Sequence, residues 1–225
     1  MIAAAPKQVE PPGLVEHPEP VEHPVSIEQS LLRSAIRSDP GPHPVVLIGS
    51  DSGASTALAL SATAAADGIA GVVVAGLPIP NQSVSTVSNR SWDEELDART
   101  ACPVHRRRLS EDKDVVRGAL WAVPVAHRPT AEPQVPVLAL HGEVDAISPL
   151  PAVQKIFDRM ARVRLVVVSG GRHDVLNDVH HRSVAAEVVL FLERLRLSAD
   201  ASPILVDERV DERVDERLDE STVKQ

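Results

Sequence analysis

Four short runs in this chain leave almost no room for a polar face: Val45-Val46-Leu47-Ile48, Ile69–Ala75, Val135–Leu140 and Val163–Val168, interrupted only by Arg164. A strand with one solvated face alternates apolar and polar residues. A strand covered on both faces does not, and such strands belong to parallel sheets. Between the runs lie stretches that read as helices, Ala54–Ala66 and Pro149–Met160, and His181–Leu197 follows as an amphipathic closing helix. Strands alternating with helices imply right-handed crossovers. The expected fold class is therefore α/β, a parallel sheet with helices on both faces. Aromatic residues make up 2% of the chain and tyrosine is absent, so Val, Leu, Ile and Ala must build the core.

Three regions flank or interrupt this pattern. Residues 1–25 form a Pro-rich arm. Six prolines between Pro6 and Pro24, and the tandem Val15-Glu16-His17-Pro18 and Val21-Glu22-His23-Pro24, favour extended conformations over helix. Residues 26–197 are expected to form the domain. It opens with a helix that Ser26 and Gln29 would cap reciprocally, ending near Asp39-Pro40-Gly41-Pro42. Within the domain, about 81–133 shows neither strand nor helix period beyond a short helix at Trp92–Arg99, as a cap insertion between two strands would. Residues 198–225 are a charged tail in which Val-Asp-Glu-Arg repeats every four residues. That period drifts around a helix and gives no fixed apolar seam.

The formal net charge is -9, and the densest basic run, Arg106-Arg107-Arg108, is followed at once by acidic residues. No basic stripe offers itself to nucleic acid, and that run reads as a solvated loop. A single cysteine, Cys102, excludes an internal disulfide and a cysteine-rich metal site. No apolar stretch approaches the roughly 18 residues of a membrane span. No secretory leader is evident, so a cytoplasmic location is expected. The motif at Gly49–Gly53 lacks both the P-loop lysine and dinucleotide-binding spacing, so no cofactor is expected.

Chemistry is concentrated just past the ends of three strands, where open α/β sheets place their sites. Leu47-Ile48-Gly49-Ser50-Asp51-Ser52-Gly53-Ala54 joins a buried strand to an Ala-rich helix, the context of a nucleophile elbow. Glycines flanking such a turn relieve crowding. The turn lifts the side chain of Asp51 above the sheet and aims the N–H of Ser52 at a developing oxyanion. Asp51 also suits a plain helix N-cap, and that alternative stays open here. Strand 135–140 runs into His141-Gly142-Glu143-Val144-Asp145, and strand 163–168 into Gly170-Gly171-Arg172-His173-Asp174. The chain order is thus a candidate nucleophile, Asp145 as an acid, and His173 as a base.

With these blocks in hand, residues Val45 to Leu195 resemble the second half of an α/β-hydrolase. They are most similar to the lysophospholipase and monoacylglycerol-lipase-like branch. The resemblance rests on Leu47–Ala54, on Pro136–Pro149, and most specifically on Gly170–Asp178. It implies a hydrolase acting on an ester-like or related small apolar substrate, with Asp51, Asp145 and His173 as triad and Ser52 supplying an oxyanion N–H. It also implies two departures. Enzymes of this branch carry serine where Asp51 stands. The wider fold uses aspartate there in epoxide hydrolases, whose cap tyrosines are absent here, and in haloalkane dehalogenases, whose tryptophan after the nucleophile is Ser52 here. Trp92 and Trp121 could contribute N–H groups only from the cap. The first half of the fold, with its His-Gly oxyanion loop, has no counterpart, so the expected architecture is α/β-hydrolase-like but truncated on its N-terminal side. One sheet edge would be exposed, and the chain could form a homo-oligomer through it. The alternative from another class is a catalytically inactive hydrolase-like binding or interaction protein.

Overall fold

A computed structural model describes residues 24–38, 44–62, 68–79, 90–121 and 132–206. The charged repeats from residue 207 and the histidine-proline repeats before Pro24 lie outside the described residues. The chain divides into two compact units, Met1–Pro40 and Gly41–Gln225. In the first, helix α1 spans Pro24–Ser38. It starts two residues before the expected cap Ser26, because proline is preorganised for the first helical turn, where its missing N–H costs nothing.

The second unit is built on a four-stranded sheet in the order β1-β2-β3-β4, all parallel, with β1 Val45–Ser50, β2 Ile69–Ala75, β3 Val137–Gly142 and β4 Val163–Val168. Helix α2, Ser52–Ser61, packs against β1 and β2. Helices α5, Leu150–Phe157, and α6, His181–Leu197, pack against β4 and against β2 and β3 respectively. Val73, Ala75, Leu138 and Leu140 meet Val184 and Phe191 of α6 in one apolar cluster. Val72 and Val74 are equally buried, and strand alternation turns them to the opposite face. Both faces of the sheet are therefore covered, which is why β2 could carry no polar residue.

β3 begins and ends two residues later than the apolar run suggested, because it continues through His141 and Gly142. A polar His141 is tolerated in this buried strand because its Nε2 donates to the carbonyl of Ser148 at 2.7 Å. α2 begins at Ser52 rather than Ala54, directly after Asp51. Between β2 and β3, two helices appear, α3 at Trp92–Arg99 and α4 at Pro103–Glu111. The basic run 106–108 therefore lies in a helix, not in a loop. Arg106 pairs with Asp93 and Asp97 of α3, and those two ion pairs fix the α3–α4 corner.

Candidate active site

The turn after β1 is the most unusual backbone in the structure. Asp51 adopts φ 54° and ψ -125°, and it is the only non-glycine residue with positive φ among the described residues. Such a conformation costs on the order of 1–3 kcal/mol and persists only where neighbouring structure enforces it. Two contacts enforce it: the Asp51 amide donates to the Ala75 carbonyl at 3.1 Å, and the Ala54 amide donates to the Asp51 carbonyl at 2.9 Å. Gly49 makes the turn possible, since a Cβ there would lie 2.1 Å from the Gly53 carbonyl oxygen. Asp51 occupies the N-cap position of α2, yet its side chain caps nothing. The carboxylate faces a different set of partners.

One of these is His173, in the loop between β4 and α6. Its Nδ1 donates to Oδ2 of Asp145 at 2.8 Å, and its Nε2 lies 3.8 Å from Oδ2 of Asp51 with no hydrogen-bond partner of its own. Asp145 is buried, and its other oxygen, Oδ1, accepts the amides of Ile147 and Ser148 at 2.8 and 2.9 Å. His141 Nε2 lies 3.3 Å from Oδ2 of Asp145. Burial pushes the His141 imidazole below its usual range, against the pull of Asp145. The histidine loop comes this close to β2 because Gly76, at φ 54°, has no Cβ. One there would meet the His173 carbonyl oxygen at 2.4 Å.

The second partner of Asp51 is a residue that sequence reasoning did not single out. Arg99, in the last turn of α3, places Nη1 2.5 Å from Oδ2 of Asp51 and 3.3 Å from Oδ1 of Asp174, and donates Nε to the Leu120 carbonyl at 2.6 Å. Its side chain is only 8% exposed. The other oxygen of Asp174 lies 3.1 Å from Nε2 of His105, on α4. Oδ1 of Asp51 is buried and makes no hydrogen bond.

Electrostatics follow from this set. Burial alone would raise the Asp51 carboxyl, but His173 and the Arg99 guanidinium outweigh it and hold the group at about 2. Burial alone would lower His173, but its hydrogen bond to Asp145 and the nearby Asp51 carboxylate lift it to about 9. Both shifts favour a protonated His173 between the Asp51 and Asp145 carboxylates, with Arg99 beside Asp51.

Backbone contacts join the histidine loop to α3. The His173 amide donates to the Ala98 carbonyl at 3.3 Å and the Asp174 amide to that of Arg99 at 2.9 Å. Buried Asp178 accepts from the amides of Ala101 and Arg172 and from the hydroxyl of Thr100. Of the two tryptophans, Trp92 donates its indole N–H to Ser110 at 3.0 Å. That of Trp121 is buried without a hydrogen-bond partner, and Arg90 stacks over its ring. Among the described residues no cluster of three metal-ligating side chains occurs, and no helix is long and apolar enough to cross a membrane.

Residues 111–203, which carry Asp145 and His173, match the family model described as TAP-like protein. No curated protein matches the sequence. Several solved structures share the fold. A soluble variant of monoglyceride lipase from Saccharomyces cerevisiae aligns at a TM-score of 0.60 and 16% identity, covering 84% of this chain and 74% of that one. An esterase from Rhodococcus sp. aligns at 0.58 and 18%, covering 81% and 77%. The monoacylglycerol lipase of Paleococcus ferrophilus aligns at 0.55 and 18%, covering 75% and 74%. The parallel sheet, its covering helices and these alignments together show that the chain has the α/β-hydrolase fold.

Proposed function

We propose that this protein is a hydrolase acting on an ester-like or related small apolar substrate through Asp51, His173 and Asp145. The observation that supports this most is the hydrogen-bonded pair Asp145–His173, whose free Nε2 is directed at a strained carboxylate in an elbow-like turn. Asp145 fixes the tautomer, leaving Nε2 to exchange protons. The fold neighbours, among them lipases and esterases, point to the same class.

The aspartate constrains the chemistry. Attack by a carboxylate on an acyl carbon would give an anhydride. Attack on an alkyl carbon gives a stable ester of Asp51 and expels the leaving group, a carboxylate in the case of an ester substrate. With Asp51 neutral as its ester, His173 gives up its resting proton to the departing group or to solvent; Nε2 then takes a proton from water, which adds to Cγ of Asp51. Collapse releases the alcohol, which takes the proton from His173, and Asp51 returns to the carboxylate by releasing the second water proton to solvent. The sum is substrate plus water giving alcohol and acid.

A panel of p-nitrophenyl esters, epoxides and haloalkanes tests this reading. Turnover should occur on at least one and disappear in His173→Ala, with an adduct on Asp51 visible by mass spectrometry. The ion pair on Asp51 favours a second reading, in which the site no longer turns over and the chain is a binding protein. Absence of both turnover and adduct, with folding intact, would establish that instead. Esterase activity appearing only in Asp51→Ser would identify a serine site that has lost its nucleophile.

A further inference from the structure

The two oxygens of Asp51 are not equivalent. Oδ2 is held by Nη1 of Arg99 at 2.5 Å, while Oδ1 is shielded from bulk water and makes no hydrogen bond. We propose that Arg99 is a catalytic residue that reserves Oδ2 as the oxygen on which negative charge develops and leaves Oδ1 as the attacking atom. This rests on the proposed function above and adds to it a charged donor in addition to the Ser52 amide.

In the first step Oδ1 bonds to the substrate carbon as the leaving group departs with its bonding pair. Oδ2 then becomes the carbonyl oxygen of the Asp51 ester, still facing Arg99. When water, deprotonated by Nε2 of His173, adds to Cγ, the carbonyl π pair moves onto Oδ2. The new charge thus appears against a guanidinium N–H already in place, where a fixed donor is most effective. The pair returns, the Cγ–Oδ1 bond breaks, and Oδ1 leaves in the alcohol with the proton from His173. Asp51 retains Oδ2, gains the water oxygen, and releases that oxygen's remaining proton to solvent to become a carboxylate again.

Arg99 is held for this role when Asp51 itself becomes neutral. A buried cation that loses its only counter-charge is costly, but Asp174 remains 3.3 Å from Nη1 and the Leu120 carbonyl accepts from Nε. The partners that fix the guanidinium are therefore independent of the step it assists. The amide of Ser52, which donates no hydrogen bond among the described residues, lies next in the chain and can share the charge.

The test uses the full chain with whichever small epoxide or haloalkane the panel shows to be turned over. Rapid mixing followed by intact-protein mass spectrometry separates the two steps. Arg99→Gln should hydrolyse the Asp51 ester about 10²–10³-fold more slowly while forming it at a rate much closer to that of the parent protein, so the adduct accumulates. Arg99→Lys, which keeps the charge but not the fork, should fall between, and added guanidinium should partly restore Arg99→Gln. A single turnover in ¹⁸O-water should place the label in Asp51, not in the alcohol. Equal slowing of both steps, label in the alcohol, or faster turnover in Arg99→Gln would overturn the role given to Arg99, the last marking the ion pair as a latch on the nucleophile. Where the parent protein gives neither adduct nor turnover, the proposed function falls and this inference with it. Where the parent is alkylated and turns over but Arg99→Gln accumulates no adduct, only the assignment of Arg99 falls.

Discussion

At the scale of single residues, the site is defined by charges that raise or lower one another. Asp51 at about 2 stabilises the folded state above its ordinary value of 3.8, and that contribution is lost as pH falls through 2. His173 at about 9 contributes fully below its ordinary value of 6.5, and that contribution is lost as pH rises through 9, because over this range the folded state holds a proton that the unfolded state has already released. Both are present together between about pH 4 and 6.5. Denaturation midpoints should therefore decline from pH 6.5 to 9, and His173→Gln should flatten that decline. The same coupling times the chemistry. Asp51 is among the groups that raise His173, so an uncharged residue 51 should lower the imidazole toward its ordinary range. Esterification of Asp51 would shift His173 in the same direction, toward the neutral base that the water step requires. NMR titration of His173 in Asp51→Asn should show a lower midpoint than in the parent protein; an unchanged midpoint would show that Asp145 alone sets it.

At the scale of elements, what could be read from the sequence was what burial imprints on composition. β2 coincides with its apolar run because it is buried over nearly its whole length; β4 coincides with its run as a half-buried edge strand, its apolar residues covered in part by α5. α6 coincides with its amphipathic period for the same reason. The convergence of Asp51, Asp145 and His173 was legible because residues just past the ends of neighbouring parallel strands gather at one end of the sheet. α4 was not legible: it buries none of its residues, so no period marks it, and only its Pro103 start carries a helix signal. Arg99 was not legible either. Its carboxylate partners lie 48 and 75 residues away along the chain, and a last-turn arginine is ordinary in a solvated helix. The same long-range link predicts that α3 and the histidine loop unfold as one unit. Asp178 is their common acceptor, and Asp178→Ala would leave the partly buried amides of Ala101 and Arg172 and the buried Thr100 hydroxyl without it. A loss of about 3 kcal/mol is expected, with amide exchange rising together in 98–101 and 172–179. Exchange rising in only one segment would show that the two are held separately.

At the scale of the whole molecule, the sheet offers an edge that composition does nothing to protect. Among the described residues β1 pairs on one side only, with β2. Its residues, Val45–Ser50, include no charge and no proline, and Ile48 is 56% exposed. Natural edge strands usually carry a lysine, a proline or a bulge that discourages another strand from adding; β1 has only a register irregularity at its first step, between Val45 and Val46. The other edge strand, β4, carries Arg164, which pairs with Glu187 of α6 at 2.8 Å, so the asymmetry is specific to β1. An unprotected edge next to Asp51 is expected to recruit a second copy, whose β1 would pair antiparallel with the first about a two-fold axis. Sedimentation velocity over a range of concentrations should show a monomer–dimer equilibrium. Ile48→Lys should move it toward monomer by adding the charge the edge lacks, without touching the triad. A dimer that survives this substitution would place the interface elsewhere. Retained dimerisation in Arg99→Gln, alongside its loss in Ile48→Lys, would separate the edge from the chemistry.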